Sequence, residues 1–194
     1  MEGKKYESTK TNRFYPGRIS QERVRQLEYY LVPVDELTTD DIVFQLTRGR
    51  TAWIYALLGY IERKWGENEA VEAARAVGYY MGRAQMKRRL QGLGEEGQTA
   101  EQMAHYQDIN HAYGGVTSSD NYSEYDDENV MIHRKSCAFH NLRPQGMRSY
   151  CRPVIEGYTT AYQELDKGLV GLREEACLCM GDDHCYGGFR YKKP

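Results

Sequence analysis

The five cysteines of this chain all lie between residues 137 and 185, and three of them have the spacing of a closed metal site. Cys177 and Cys185 flank a turn that contains Gly181, and Cys151 precedes them in a predicted helical segment. Zn²⁺ prefers four N, S or O donors at about 2.0 to 2.3 Å, and one helix plus one hairpin can supply them. The spacing predicts a zinc site, with buried structural cysteines or a redox disulfide between Cys177 and Cys185 as alternatives.

The predicted hairpin decides which side chains share a face. If its turn is centred on Gly181, Cys177 and Cys185 lie opposite each other with β-carbons about 4.5 to 5.5 Å apart. Strand alternation puts Cys179 on the same face and Glu174 on the opposite face. Glu174 can therefore act as a ligand only if the strand contains a bulge or a strong twist.

A second group of residues could perform nucleophilic catalysis. Cys137 ends a predicted strand, on the face that it shares with His133, and His140 follows three residues later. A thiol beside imidazoles can lose its proton near neutral pH and attack an electrophilic ring carbon, with histidine carrying the proton. The alternatives are that Cys137 is a small buried hydrophobic residue, or that it joins the zinc ligands in place of Glu174.

Residues on the predicted fourth helix could bind a small molecule. His105, Asp108 and His111 recur at steps of three, so each step drifts only about 60° around a helix and the three could converge on a ligand or a second metal. A solvated polar face is the alternative. Aromatic side chains supply further candidates, although their spacing also suits ordinary core packing. The candidate ligand-binding residues are Trp53, Tyr106, His105, His111 and Tyr158.

Composition limits the classes of partner. The 194 residues carry a formal charge of -2 with interspersed signs, which favours neither nucleic acid nor an anionic membrane surface. No apolar run is long enough to span a bilayer, and residues 1–18 lack the apolar core of a signal peptide. We therefore expect a cytoplasmic protein, whose reduced thiols are available to metal.

The elements that position these groups follow from hydrophobic period and helix-end signals. Helices are predicted at 21–31, 39–66, 67–91, 99–112 and 152–167, a strand at 130–137, and an antiparallel hairpin from 169–179 and 184–191. The third helix carries a stripe of small residues at spacing four, which would let another helix approach closely: Ala70, Ala74, Gly78 and Gly82. Thr99 and Gln102 predict a capping box at the start of the fourth helix. The predicted fold class is α+β, with a helical N-terminal half followed by an antiparallel sheet, packed helices and a C-terminal zinc-binding hairpin. The predicted organisation is a flexible arm at 1–18, a helical region at 19–117 and a zinc-containing, ligand-binding α+β region at 118–194. The alternative is that the last two regions form one integrated domain.

The C-terminal pattern resembles a known group of domains. Cys151, followed by a Leu-Arg-Glu-Glu-Ala-Cys-x-x-Met-Gly-x-x-x-Cys run over residues 172–185, is similar to the end of the vinyl-reductase-type hydrocarbon-binding domains. These include the zinc-containing sensor domains of phenol- and xylene-responsive activators. The resemblance implies a zinc ligand set of Cys151, Glu174, Cys177 and Cys185. Residues 157–162 also resemble the Gly-Tyr-x-x-x-Tyr helix of those sensors.

A second resemblance covers residues 40–191. The helical half, the strand ending in Cys137, then Cys151 and the terminal Gly-Asp-x-x-Cys hairpin are similar to the family named for L-2-amino-thiazoline-4-carboxylate hydrolase. We therefore expect a zinc-stabilised homodimer that encloses an aromatic or heterocyclic ligand. Four protein ligands leave no open position for water, so the zinc would be structural.

Two functions remain open at this point. One is a hydrolase in which Cys137, His133 and His140 open a cyclic C–N bond. The other is a non-catalytic hydrocarbon-binding or sensor protein that signals to a separate partner. The chain shows no output element, which favours the enzyme. A Cys137 exposed to a pocket and bonded to an imidazole would support catalysis, whereas a buried or metal-bound Cys137 would support binding.

Overall fold

The chain forms an α+β fold, as the sequence predicts. The computed structural model describes residues 10–13, 19–94, 97–112, 122–135, 137–141 and 143–193. The helices are α1 (Gln21–Glu28), α2 (Thr39–Trp65), α3 (Glu67–Leu90), α4 (Ala100–Ala112), α5 (Ala138–Asn141) and α6 (Cys151–Leu165). The strands are β1 (Lys10–Arg13), β2 (Tyr122–Tyr125), β3 (Asn129–Arg134), β4 (Leu169–Ala176) and β5 (Cys185–Tyr191). Short 3₁₀ turns cover Val34–Glu36 and Leu178–Met180.

The strands form one antiparallel sheet in the order β1-β2-β3-β5-β4. Four of them lie in the C-terminal part of the chain. The fifth, β1, belongs to the segment predicted as an arm, and it pairs with β2 at the sheet edge. Strand β4 is irregular, because its pairing with β5 shifts between Glu174 and Ala176. This β-bulge places one unpaired residue directly before the cysteine-rich turn.

The two helices α3 and α6 approach each other closely through small residues. The predicted stripe of Ala70, Ala74, Gly78 and Gly82 is buried. A β-carbon added at Gly78 would collide with the Val154 carbonyl oxygen of α6, and one added at Gly157 would collide with the Arg75 carbonyl oxygen of α3. Backbone-to-backbone contact of this kind requires glycine on both helices. It fixes α6, and therefore its first residue, against the helical layer.

Helix-end signals in the sequence have the structural effect expected of them. Thr99 and Gln102 form the predicted capping box: the Thr99 N–H donates to Gln102 Oε1 at 2.9 Å, and the Gln102 N–H donates to Thr99 Oγ1 at 3.3 Å. A second capping box, which the sequence analysis did not identify, joins Thr38 and Asp41 at the start of α2. Helix α2 continues through Gly49 without interruption. Within the described ranges, no helix combines the length and the apolar character needed to cross a bilayer.

The structure corrects three boundaries near the candidate site. Strand β3 ends at Arg134 rather than at residue 137, because the Cys137 carbonyl oxygen accepts the N–H groups of His140 and Asn141 and starts α5. Strand β4 ends at Ala176 rather than at residue 179, because the chain turns through Gly181 at φ +104°. Cys137 and Cys179 are therefore on turns, not on strands.

The third correction concerns the polar tract at 118–129. The sequence predicts no strand in this polar acidic tract, but Tyr122–Tyr125 forms β2. Ser123 and Tyr125 alternate inward between partly exposed Tyr122 and Glu124, so the period is that of a half-buried strand. The acidic residues of this tract concealed the alternation in the sequence. Residues 113–121 lie outside the described residues, so the first part of the predicted tract is not placed.

Candidate metal centre

Five short segments bring the cysteines to one region. Cys151 is the first residue of α6, Cys177 follows β4, Cys179 lies in the Leu178–Met180 turn, and Cys185 begins β5. Cys137 lies directly before α5, a helix that packs against that same turn. The turn after β3 and the turn before β5 therefore contribute as much to the site as the hairpin strands do.

Three of the sulfur atoms form a compact group. The Sγ atoms of Cys151, Cys177 and Cys179 all lie within 4.8 Å of one another, so this group could hold a metal ion. Cys151 and Cys177 are buried and Cys179 is partly exposed. Sulfurs that share a tetrahedral ion at about 2.3 Å lie about 3.8 Å apart, which is within this limit.

The other two cysteines contact the edge of this group. The Cys137 thiol interacts with the Cys151 thiol, and the Cys185 thiol interacts with the Cys177 thiol, closely enough to lower the pKa of Cys137 and of Cys177. Cys185 Sγ also accepts the Leu178 N–H at 3.3 Å. All five cysteines are free thiols, so no disulfide joins Cys177 to Cys185. Every cysteine of the chain therefore belongs to one network of sulfur contacts.

Backbone and carboxylate contacts fix the turn that carries Cys177 and Cys179. The Cys177 N–H donates to Asp182 Oδ2 at 2.7 Å, while the Cys177 carbonyl oxygen accepts the Met180 N–H at 2.8 Å. Gly181 ends the turn in the left-handed region that favours glycine. On the facing element, the Cys151 N–H donates to Ser149 Oγ at 3.2 Å. These contacts hold the thiols in place independently of any ion.

The thiols of this network influence each other's ionisation. Hydrogen bonds from Cys151 lower the pKa of Cys137, Cys177 and Cys179 below the usual value of a thiol. The same hydrogen bonds raise the pKa of Cys151. Burial raises the pKa of Cys185. Several thiolates in a buried space repel one another, and a divalent cation removes that repulsion by binding them together.

Glu174 lies near the sulfur group but is not one of its three members. It is exposed on β4, directly before the bulge that a ligand role requires. The pKa of Cys177 falls chiefly because of the hydrogen bond from Cys151, and the nearby Glu174 carboxylate opposes that fall. The donor set is therefore rich in sulfur, with one carboxylate at its margin. Soft thiolate donors of this kind suit Zn²⁺ better than Mg²⁺ or Ca²⁺.

The candidate catalytic residues have different surroundings. Cys137 is only 7 % exposed, and its sulfur interacts with Cys151 and with the backbone N–H groups of His140 and Phe139. His140 is partly exposed, and its Nδ1 atom is buried without a hydrogen-bond partner in the described part of the chain. The His133 ring stacks on Tyr122 with centroids 4.8 Å apart, and on His184 at 5.1 Å. His133 thus belongs to an aromatic row on the sheet.

The candidate ligand-binding residues are divided between the surface and the core. Trp53 is 79 % exposed on α2, and His105 is exposed on α4. His111 belongs to α4, but its side chain lies outside the described residues. Tyr106 and Tyr158 are brought together by Gln85 of α3: Tyr106 donates to Gln85 Oε1 at 2.6 Å, and Gln85 Nε2 donates to the Tyr158 hydroxyl at 3.4 Å.

Three residues missed by the sequence analysis belong to this group of tyrosines. Tyr162 donates to Gln85 Oε1 at 3.2 Å, and the Arg89 guanidinium lies 3.3 Å from the centroid of the Tyr106 ring. Burial lowers the pKa of Arg89 and raises that of Tyr158 to about 12. A signal was present, since Gln85 with Arg89 and Tyr158 with Tyr162 are both spaced i, i+4 on helices.

No protein-family model and no curated protein matches the chain. The interpretation of this site therefore depends on its own geometry and on the sequence resemblances given above.

Proposed function

We propose that this protein is a zinc-stabilised, non-catalytic binding protein for a small aromatic or heteroaromatic molecule. The observation that carries the proposal is the position of Cys137. Its sulfur is buried and interacts with the Cys151 thiol, which belongs to the group of three cysteines that could hold a metal. A thiol in that position serves a metal better than it serves an incoming substrate. The expected role is therefore that of a ligand sensor or carrier, with a cytoplasmic location that keeps the thiols reduced.

The proposed ion is Zn²⁺, held by Cys151, Cys177, Cys179 and Cys137. The first three sulfurs form the compact group. The Cys137 thiol interacts with the Cys151 thiol, and its negative charge opposes the fall in the pKa of Cys179. Four sulfur ligands close the coordination sphere, so the ion would be structural. Glu174 and Cys185 are the competing candidates for the fourth position, as the resemblance to the hydrocarbon-binding domains implies.

The proposed ligand site is the group formed by Gln85, Arg89, Tyr106, Tyr158 and Tyr162. It combines aromatic rings with hydroxyl, amide and guanidinium groups, which is the usual chemistry of a site for a polar aromatic molecule. Tyr158 lies seven residues after Cys151 on α6, about 10 Å along the helix axis. A metal that fixes the first turn of α6 would thereby also position the ring of Tyr158.

The decisive experiment joins metal analysis with variants of the ligands. The purified protein should contain one zinc per chain. We expect Cys151→Ser to abolish binding and Cys137→Ser to lower zinc affinity by at least about tenfold, within the range seen when a metal site loses a ligand or its support. Glu174→Gln and Cys185→Ser are the matched controls and should retain zinc. If Cys137→Ser retained zinc and Glu174→Gln lost it, the fourth ligand would be the Glu174 carboxylate.

Ligand binding is tested separately from metal binding. Intrinsic fluorescence or calorimetry with phenols and five-membered nitrogen heterocycles should show saturable binding to the zinc-loaded protein. Gln85→Leu should weaken it, because the amide joins the hydroxyls of Tyr106 and Tyr158. His105→Ala is the control, because His105 is exposed and lies on the same helix as Tyr106. Binding unaffected by Gln85→Leu would place the ligand elsewhere.

One observation favours the hydrolase instead. His140 has a buried Nδ1 atom without a partner among the described residues, and it lies three residues from Cys137. A cysteine hydrolase would use Cys137 as nucleophile, with His140 or His133 as proton carrier, on a cyclic C–N bond. Rapid alkylation of Cys137 in the folded, zinc-loaded protein, together with turnover lost in both Cys137→Ala and His140→Ala, would establish the enzyme over the binding protein.

A further inference from the structure

Helix α2 presents an apolar stripe to solvent along most of its length. Ile42, Leu46, Trp53, Leu57 and Tyr60 have between 46 and 79 % of their surface exposed. Their spacing places them within about 40° of one line on an α-helix. The opposite face of α2 packs into the protein through other residues, including Phe44, Tyr55 and Leu58. A continuous apolar stripe of this kind marks an interaction surface.

The stripe contains a hollow and a projection one turn apart. Gly49 lies on the same line as Leu46 and Trp53, and no atom lies within 4 Å of a β-carbon built at this glycine. Trp53, with 79 % of its surface exposed, follows on the next turn. The two positions lie almost symmetrically about residue 51. An antiparallel two-fold axis there would place each Trp53 over the Gly49 of the other helix.

The same axis would match the remaining members of the stripe. Ile42 would lie opposite Tyr60, and Leu46 would lie opposite Leu57. The five exposed side chains offer on the order of 600 Å² per copy, close to the roughly 800 Å² per partner that specific interfaces bury. A self-complementary surface of this kind is what a two-fold dimer requires.

Charge selects the antiparallel arrangement. The beginning of α2 and the 3₁₀ turn before it carry Asp35, Glu36 and Asp40, whereas the last turn carries Arg63 and Lys64. Antiparallel helices bring the acidic end of one copy to the basic end of the other, and their dipoles are also opposed. Parallel helices would instead bring like charges together.

From this combination we propose that the protein forms a homodimer through antiparallel pairing of α2 with α2 of a second copy, in which Trp53 fills the hollow over Gly49. The interface is separate from the sulfur network and from the group around Gln85. The test of this interface is therefore independent of the test of the proposed function.

Sedimentation equilibrium of the full chain tests the pairing. We expect a dimer for the natural sequence. Trp53→Glu should raise the dimer dissociation constant at least about tenfold, because a central buried tryptophan is commonly an interface hot spot. Tyr80→Glu replaces an aromatic residue that is 70 % exposed on α3, outside the stripe, and is the matched control that should leave the constant unchanged. A monomer at every soluble concentration would overturn the proposal.

Two further variants separate the interface from folding and fix its register. Gly49→Leu should stabilise the monomer, since glycine is unfavourable inside a helix, yet it should weaken the dimer by filling the hollow. Lys64→Glu should weaken the dimer, and adding Glu36→Lys should restore it. A dimer that tolerates both Trp53→Glu and Gly49→Leu would refute this surface. If Trp53→Glu abolishes the dimer but Gly49→Leu leaves it intact, the proposed antiparallel register is refuted.

Discussion

The thiol of Cys137 interacts with the thiol of Cys151, although one residue precedes α5 and the other begins α6. The contact joins a turn after the central strand β3 to a helix of the outer layer. It draws the only cysteine that precedes Cys151 in the sequence into the same network as the three C-terminal ones. The assignment of Cys137 as ligand or nucleophile depends on this contact.

Metal removal should destabilise the fold. A bound ion that the unfolded chain does not hold stabilises by about 3 kcal/mol or more when it is present at a hundred times its dissociation constant. For a chain of this length, that corresponds to a fall in Tm of roughly 6 to 12 °C on chelation. Circular dichroism melting with and without chelator, followed by zinc repletion, measures it. An unchanged Tm after complete zinc removal would contradict a structural ion.

Cys151 should be the most sensitive of the five cysteines. Its sulfur lies within 4.8 Å of those of Cys177 and Cys179 and also interacts with the Cys137 thiol, so its replacement disturbs all three neighbouring thiols at once. We expect Cys151→Ser to melt as low as the chelated natural protein and to show no further fall on chelation. Cys185→Ser, in which only a peripheral thiol changes, should still respond to chelator. A Cys151→Ser variant that keeps both its zinc and its Tm would exclude this thiol as a ligand.

Asp41 should make stability depend on pH in the acidic range. Its carboxylate accepts Arg23 Nη2 at 2.8 Å and the Thr38 N–H at 2.9 Å, and the hydrogen bond from Arg23 lowers its pKa to about 2. A lowered folded-state pKa means that the stabilisation is fully present above the unfolded-state value near 4. It is lost as pH falls through about 2.

The magnitude of this effect is small, because Arg23 is partly exposed and screened by solvent. Asp41→Asn should cost about 1 kcal/mol at pH 7 and flatten the acid dependence between pH 4 and pH 2. Asp35→Asn, which changes an exposed carboxylate in the preceding turn, is the control. Urea unfolding at several pH values measures both. A natural protein and an Asp41→Asn variant with parallel acid profiles would exclude Asp41 as the source.

The close approach of α3 and α6 should be intolerant of a single methyl group. A β-carbon at Gly157 has no room, because the Arg75 carbonyl oxygen and the Tyr79 N–H of α3 occupy that space. Gly157→Ala should cost about 2 kcal/mol or more through overpacking. Gly49→Ala, at an open position of α2, should instead stabilise by about 0.5 to 1 kcal/mol. Urea titrations at low protein concentration, where pairing does not contribute, compare the two. A neutral Gly157→Ala would show that the helices can separate at small cost.

The sequence by itself determined most of the elements and the way in which the helices pack. Alternating and helical periods predicted α1 to α4, α6 and the C-terminal hairpin, since these patterns report on burial of one face. The small-residue stripe in α3 predicted a close helix contact, and the closeness of Gly78 to Val154 confirms it. The capping residue Thr99 predicted where α4 begins, because its hydroxyl accepts the Gln102 N–H, which has no partner within the helix.

Only the tertiary structure decided how the cysteines meet. Cys137 and Cys179 lie on turns, and the direction of a side chain on a turn follows from backbone angles that hydrophobic period does not encode. The bulge before Ala176 likewise arises from pairing between β4 and β5. Strand β2 escaped prediction because it lies in an acidic tract and because one of its two neighbours, β1, is distant in sequence. Which sulfurs share a space is therefore a property of packing between elements, not of the order of residues.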